Sequence, residues 1–269
     1  MLIISSPLRH AVKMFSPRHM SSASEIMSSL SSPLKGQDVE LAVSSLANAD
    51  AVCFDVDSTV IGEEGIDVLA DYLGKGNEVA ALTKKAMEGD TKFEDALRQR
   101  LELLRPSIED IEGCLTKHPL QKSPGVEEFI ESLHTSGKDV YLVSGGFRIM
   151  MDGLAKDLCI DTKTNVIANT IFFDSAGNYN GFDDTEFTSA DMGKPRALGY
   201  LKEKHGYKTM VMIGDGATDA QAKPPATSFI GYGGVVARAA VEKKADWFVT
   251  DFSQLQHVID NFAVNKHNR

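Results

Sequence analysis

Short apolar runs that end in acids or glycines recur along this chain, and helical patterns separate them. Ala51-Val52-Cys53-Phe54 leads into Asp55. Val140-Tyr141-Leu142-Val143 leads into Ser144-Gly145-Gly146, and Met210-Val211-Met212-Ile213 into Gly214-Asp215-Gly216. Ser228-Phe229-Ile230 and Trp247-Phe248-Val249 make a fourth and a fifth run. Apolar runs without alternation suit strands buried on both faces, the condition of a parallel sheet. Helical patterns at 125–137, 147–158, 194–205 and 234–244 fill the intervals. This alternation predicts an α/β doubly wound, Rossmann-like core. Ligands in such sheets sit beyond the carboxyl ends of the strands. The acids and glycines ending the first three runs therefore converge on one crevice.

The interval between the first two runs is too long for a loop. Residues 64–122 are rich in Ala, Leu, Glu, Lys and Arg and predict helices at 65–73, 75–88, 91–104 and 107–117, punctuated by Pro106 and Pro119. A connection with its own helices is a small helical cap domain. Residues 165–183 predict a β-hairpin, Val166 to Phe173 and Tyr179 to Phe182, around Ser175-Ala176-Gly177-Asn178. The expected division is an N-terminal segment (1–36), a core (37–63 and 123–269) and the cap (64–122).

Charge is distributed unevenly. Lys and Arg number 28 against 38 Asp and Glu, a net charge of −10. An acidic chain is a poor ligand for nucleic acid or anionic lipid, both of which recruit Lys and Arg. No apolar run reaches the ~18–20 residues that a membrane helix needs. Residues 1–24 nonetheless contain Arg9, Lys13 and Arg18 and no acid, and serine fills 10 of the first 32 positions. A basic, Ser-rich, acid-free start suits an organellar transit peptide, plastid ahead of mitochondrion, with a plain tail on a cytoplasmic protein as the alternative. Cys53, Cys114 and Cys159 lie far apart, without the spacing of a zinc site. The expected partner is a small-molecule substrate, and a homodimer is left open.

Three loops carry chemistry. Asp55-Val56-Asp57-Ser58-Thr59 sets two carboxylates just past a strand, where one can attack an electrophile and the other manage a proton. Their mutual repulsion calls for a cation, and Mg²⁺ is the hard-oxygen choice. Gly214-Asp215-Gly216-Ala217-Thr218-Asp219 adds two acids on a loop whose glycines admit an anion. Ser144-Gly145-Gly146 offers a hydroxyl and backbone amides at a helix start, a setting for phosphate oxygens. Lys194 heads a helix with Pro195 in its first turn. Taken singly, each has a bland reading as turn, cap or solvated side chain.

In this order the motifs resemble the haloacid dehalogenase superfamily of aspartate-nucleophile phosphatases. Within it, residues 50–252 resemble the phosphoserine phosphatases through AVCFDVDSTVI and EEGID (51–67), VSGGFR (143–148), GFD and TE (181–186) and MIGDGATD (212–219). The resemblance implies Mg²⁺-dependent hydrolysis of O-phosphoserine to serine and phosphate, ending serine biosynthesis. It assigns Asp55 as nucleophile and Asp57 as proton donor and acceptor. Mg²⁺ would be held by Asp55, the Asp57 backbone carbonyl and Asp215, with Asp219 in support. Ser144, Lys194, Gly145 and Gly146 would hold the phosphoryl group. Glu64 would meet the substrate ammonium and Arg100 its carboxylate, with Met87 and Phe93 shielding the site and Thr218 beside it. The alternatives are another small phosphomonoester as substrate, or a catalytically silent phospho-ligand sensor.

Overall fold

The computed structural model describes residues 22–30, 33–87 and 92–262; the side chains of residues 86 and 87 lie outside that description. Six parallel strands form the central sheet: β1 (Ala51–Phe54), β2 (Asp139–Phe147), β3 (Val166–Asn169), β6 (Met210–Gly214), β7 (Ser228–Tyr232) and β8 (Trp247–Val249). Their order is β3-β2-β1-β6-β7-β8, so β1 lies centrally. The doubly wound expectation holds.

The two faces of β1 divide the core. Val52 and Phe54 pack with Val140, Leu142, Val211 and Ile213 under α2 (Val39–Ala47), α7 (Val126–Thr135) and α12 (Phe252–Phe262). Ala51 and Cys53 pack on the other face with Tyr141, Met210 and Met212 against α9 (Gly193–His205). Alternate residues of one strand thus serve opposite layers, which is why these runs carry no polar alternation.

The cap is four helices: α3 (Gly65–Tyr72), α4 (Gly76–Met87), α5 (Phe93–Leu104) and α6 (Ile108–Lys117). Leu69, Leu97, Leu101 and Ile111 make its apolar centre, which continues into Phe147 and Met150 of the core.

Three expectations are corrected. Val166–Asn169 is not part of the hairpin. It pairs in parallel with β2, and only β4 (Ile171–Phe173) and β5 (Tyr179–Phe182) form the antiparallel pair. The side chain of Asn169 fixes this break: its Nδ2 donates to Gly145 O at 2.8 Å, tying β3 to the end of β2. The helix expected at 234–244 is confined to α11 (Ala239–Glu242). Gly233 and Gly234 press so closely on Phe248 and Tyr232 that a Cβ would sit 2.4 and 2.2 Å from their side chains. The helix expected at 147–158 begins one residue later, at Arg148 (α8, Arg148–Asp157), because β2 runs on through Phe147.

The packed fold also starts earlier than residue 37. Helix α1 (Ala23–Ser29) opens with a capping box between Ser22 and Glu25. Ile26 and Leu30 are buried in the same core layer as α2 and α12, and Ser29 Oγ meets His257 Nε2 at 2.6 Å. Residues 1–21, where most of the basic segment falls, lie outside the described residues.

Candidate active site

Strand register brings the loops together. Phe54 lies opposite Leu142 on one side and Ile213 on the other. The next residue, Asp55, donates its N–H to Ile213 O at 2.9 Å, beside the ends of β2 and β6. The chain then curls through a tight turn at Val56–Val60, with Ser58 at φ +54°. That turn folds Asp57 back over the end of β2. Its Oδ1 accepts from the Gly65 N–H at 2.7 Å and its Oδ2 from Ser144 Oγ at 3.2 Å. Ser144 Oγ in turn accepts from the Gly146 N–H at 2.9 Å. Ser144 stands inside strand β2, four residues ahead of the start of α8 at Arg148.

Lys194 enters from the first turn of α9, buried against two acids. Its Nζ lies 2.6 Å from Asp55 Oδ1 and 2.5 Å from Asp219 Oδ1. Burial works to lower its pKa, but the Asp219 and Asp55 carboxylates outweigh that and raise it, holding the ammonium charged. Asp219 also accepts from the Gly216 N–H at 2.8 Å, fixing the Gly-rich loop. Oxygens of Asp55, Asp215 and Asp219 all lie within 4.8 Å of one another. Three buried carboxylates that close, with one lysine among them, suit a hard divalent cation.

Burial, then Asp55 and Glu64, raise Asp57 to about 7, while the Gly65 and Ser144 hydrogen bonds work against the shift. An acid poised there can give and take a proton near neutrality. Burial and then Asp55 raise Asp215 to about 6, opposed by Arg238.

The cap closes over these groups and leaves a cavity of about 230 Å³. Glu64 and Arg100 both line it, as do Phe93, Gly145, Gly146 and Thr218. Glu64 accepts from Ser58 Oγ at 2.8 Å and is raised in pKa by burial. Arg100 donates from Nε to Ala96 O of its own helix at 3.2 Å. Among the described residues its guanidinium forms no ion pair, so its terminal nitrogens remain available to an anion. The Phe93 ring lies against Gly145, where a Cβ would be 3.5 Å from it. The Met87 side chain falls outside the described residues.

Residues 49–223 match the model of the haloacid dehalogenase-like hydrolases. The chain belongs to this family. It is 48% identical over 208 residues to a phosphoserine phosphatase of Rattus norvegicus, covering 77% of this chain and 92% of that one. It is 46% identical over 215 residues to "Phosphoserine phosphatase, chloroplastic" of Arabidopsis thaliana, covering 79% and 72%. Among solved structures, DsGPDH of Dunaliella salina is similar at a TM-score of 0.72 and 34% identity. That match covers 83% of this chain, which spans 38% of the other.

Two residues of this hydrolase site escaped the sequence reading. Arg238 donates from Nε to Asp215 Oδ2 at 2.9 Å, and its Nη2 is 4.0 Å from Glu64 Oε1. No motif marks it. The signal was its place in the loop after β7, at the carboxyl edge where the ligand crevice lies. Asn169 is fully buried, and its Oδ1 accepts from Thr188 Oγ1 at 3.2 Å while its Nδ2 holds Gly145. It was hidden within a run of β-favouring residues.

Proposed function

We propose that the chain is a Mg²⁺-dependent phosphoserine phosphatase that hydrolyses O-phospho-L-serine to L-serine and phosphate, the last step of serine synthesis. One observation carries the substrate: Glu64 and Arg100, the latter without an ion pair among the described residues, line the same cavity as Asp55 and Asp57. Phosphoserine presents an ammonium and a carboxylate besides its phosphate, and Glu64 and Arg100 complement the first two. The names of the rat and Arabidopsis relatives support the same substrate.

Asp55 attacks phosphorus with a carboxylate oxygen, and the bond from phosphorus to the serine oxygen breaks. Asp57 delivers its proton to that departing oxygen, and serine leaves. Water then attacks the aspartyl-phosphate as Asp57 takes back a proton. The phosphorus–Asp55 bond breaks, releasing phosphate and restoring the carboxylate. The Lys194 ammonium, the Ser144 hydroxyl and the Gly145 backbone amide would meet the oxygens whose charge shifts during both transfers, with Gly146 holding Ser144 in place. The buried carboxylates Asp55 and Asp215, with the Asp57 carbonyl and Asp219 in support, would hold Mg²⁺, which supplies charge neutralisation to the phosphoryl group. The cap excludes bulk water. The basic, Ser-rich start supports delivery to the plastid, as does the name of the Arabidopsis relative, which is chloroplastic.

The test is phosphate release from O-phosphoserine, O-phosphothreonine, phosphoethanolamine and p-nitrophenyl phosphate, each with Mg²⁺ and with EDTA. Mg²⁺-dependent preference for phosphoserine is expected. Equal activity on all four would move the substrate to another phosphomonoester, and silence on all four would leave only a binding role.

A further inference from the structure

We propose that Met192 is a specificity-determining residue, the core-side wall that limits the bulk of the leaving group. The proposal rests on the phosphatase reading above and extends it to the face opposite the cap.

Met192 lines the cavity from the loop ahead of α9, while Ile66, Phe93 and Leu97 line it from the cap. It is 45% exposed, and among the described residues it is the one exposed methionine. Its backbone sits at φ +55°, ψ +23°, the left-handed region that a Cβ disfavours. The loop is pinned there by its neighbours. A Cβ on Gly193 would lie 2.2 Å from Phe187 O, so the chain passes that carbonyl at close range before Lys194 turns inward. Glycine would take this conformation at position 192 with less strain.

A half-exposed apolar side chain on a strained backbone does little for the fold. Such residues concentrate where structure serves a ligand. Met192 also has no group with which to pair the charges of an amino-acid phosphate. What it contributes is volume, on a flexible stem that adapts to what it touches. Charged ends would be held by Glu64, Arg100 and Lys194, and Met192 would police the apolar middle of the substrate. A wall of this type discriminates by about one methylene's worth of contact, on the order of tenfold or more.

The experiment compares full-length wild type with Met192→Gly and Met192→Leu, in Mg²⁺, by kcat/KM on O-phosphoserine, O-phosphothreonine, phosphoethanolamine and p-nitrophenyl phosphate. Met192→Gly is expected to raise kcat/KM for the two bulkier substrates relative to phosphoserine by about fivefold or more. Met192→Leu, which keeps the volume, is expected to hold the ratios within about twofold. A glycine variant whose ratios move less than fivefold overturns the proposal, as does a leucine variant that shifts them as far as glycine. Met192→Ala gives the same reading if the glycine variant loosens the loop. Wild type that ignores phosphoserine refutes the substrate reading instead. The ratio of p-nitrophenyl phosphate to phosphoethanolamine then still decides the role of Met192.

Discussion

Arg238 donates to Asp215 at 2.9 Å and reaches within 4.0 Å of Glu64, so one guanidinium touches an acid of the sheet and an acid at the entry to the cap. It opposes the burial and the Asp55 charge that raise Asp215. Removing it lets Asp215 keep its proton to higher pH, and that proton competes with a cation for the carboxylate. Arg238→Gln is expected to raise the Mg²⁺ concentration for half-maximal activity at pH 6.5 by about tenfold. A Mg²⁺ titration of phosphate release checks this, and an unchanged midpoint would remove Arg238 from the electrostatics of the metal site.

The two acids of the first loop should fail differently. Asp55→Asn removes the attacking oxygen, and turnover should fall to the detection limit while Mg²⁺-dependent binding of phosphoserine persists in calorimetry. Asp57→Asn keeps the nucleophile but loses the proton donor. It should lower kcat by about 10²–10⁴-fold on phosphoserine, and by less on p-nitrophenyl phosphate, whose leaving group needs no proton. Retained turnover in Asp55→Asn would end the proposed mechanism.

Arg100→Ala tests the head-group contact. kcat/KM for phosphoserine should fall by about tenfold or more, because a charge-assisted bond to carboxylate is lost. p-Nitrophenyl phosphate, which has no carboxylate, should be little affected. Equal losses on both would place Arg100 outside substrate recognition.

Stability in the metal-free protein should depend on pH with a definite sign. Asp57 is raised to about 7 and Asp215 to about 6, each first by burial, from an ordinary value near 4. The folded state thus holds extra protons between those values. Their contribution is complete below about pH 4 and is lost as pH rises through about 6 to 7. A divalent cation replaces those protons. The increase in melting temperature on adding Mg²⁺ should therefore be small at pH 5 and larger at pH 7.5. Calorimetric scans with and without EDTA measure it, and an equal increase at both values would contradict the assignment.

Helix α1 should be separable from the segment before it. Deleting residues 1–21 leaves Ile26 and Leu30 in place, whereas deleting 1–36 strips both from the core. Each buried aliphatic side chain contributes about 1.5–3 kcal/mol. The longer deletion should lower the unfolding free energy by about 3 kcal/mol or more relative to the shorter one, measured by urea denaturation. Equal midpoints would show α1 to be dispensable.

The sequence was most transparent where one physical requirement acted alone. β1, β2 and β6 announced themselves because strands buried on both faces must be uniformly apolar, and the acids after Phe54 and Ile213 marked their carboxyl ends. Glu64 and Arg100 stood out only through family resemblance, since helix-surface charges carry no spacing signal of their own. β3 was obscured because β-favouring residues flank only Ala168 and Asn169 between Val166 and Phe173, and the tie of Asn169 to Gly145 on β2 is a tertiary contact. The helical pattern from 234 to 244 failed for a similar reason: packing of Gly233 and Gly234 against Phe248 and Tyr232 overrides local propensity. Ile26 was lost within a serine-rich stretch whose composition suggested no core at all.

The central position of β1 has a consequence for biosynthesis. Its partners β2 and β6 come from far downstream, with the whole cap spelled out between β1 and β2. Asp55 leaves the ribosome ahead of Ser144 and Lys194, which are proposed to cradle the phosphate, and of Asp219. Long-range pairings of this kind form late, after loop-closure entropy has been overcome. A nascent chain thus carries the proposed nucleophile ahead of the groups proposed to act with it, and the site is complete only when the sheet closes around β1.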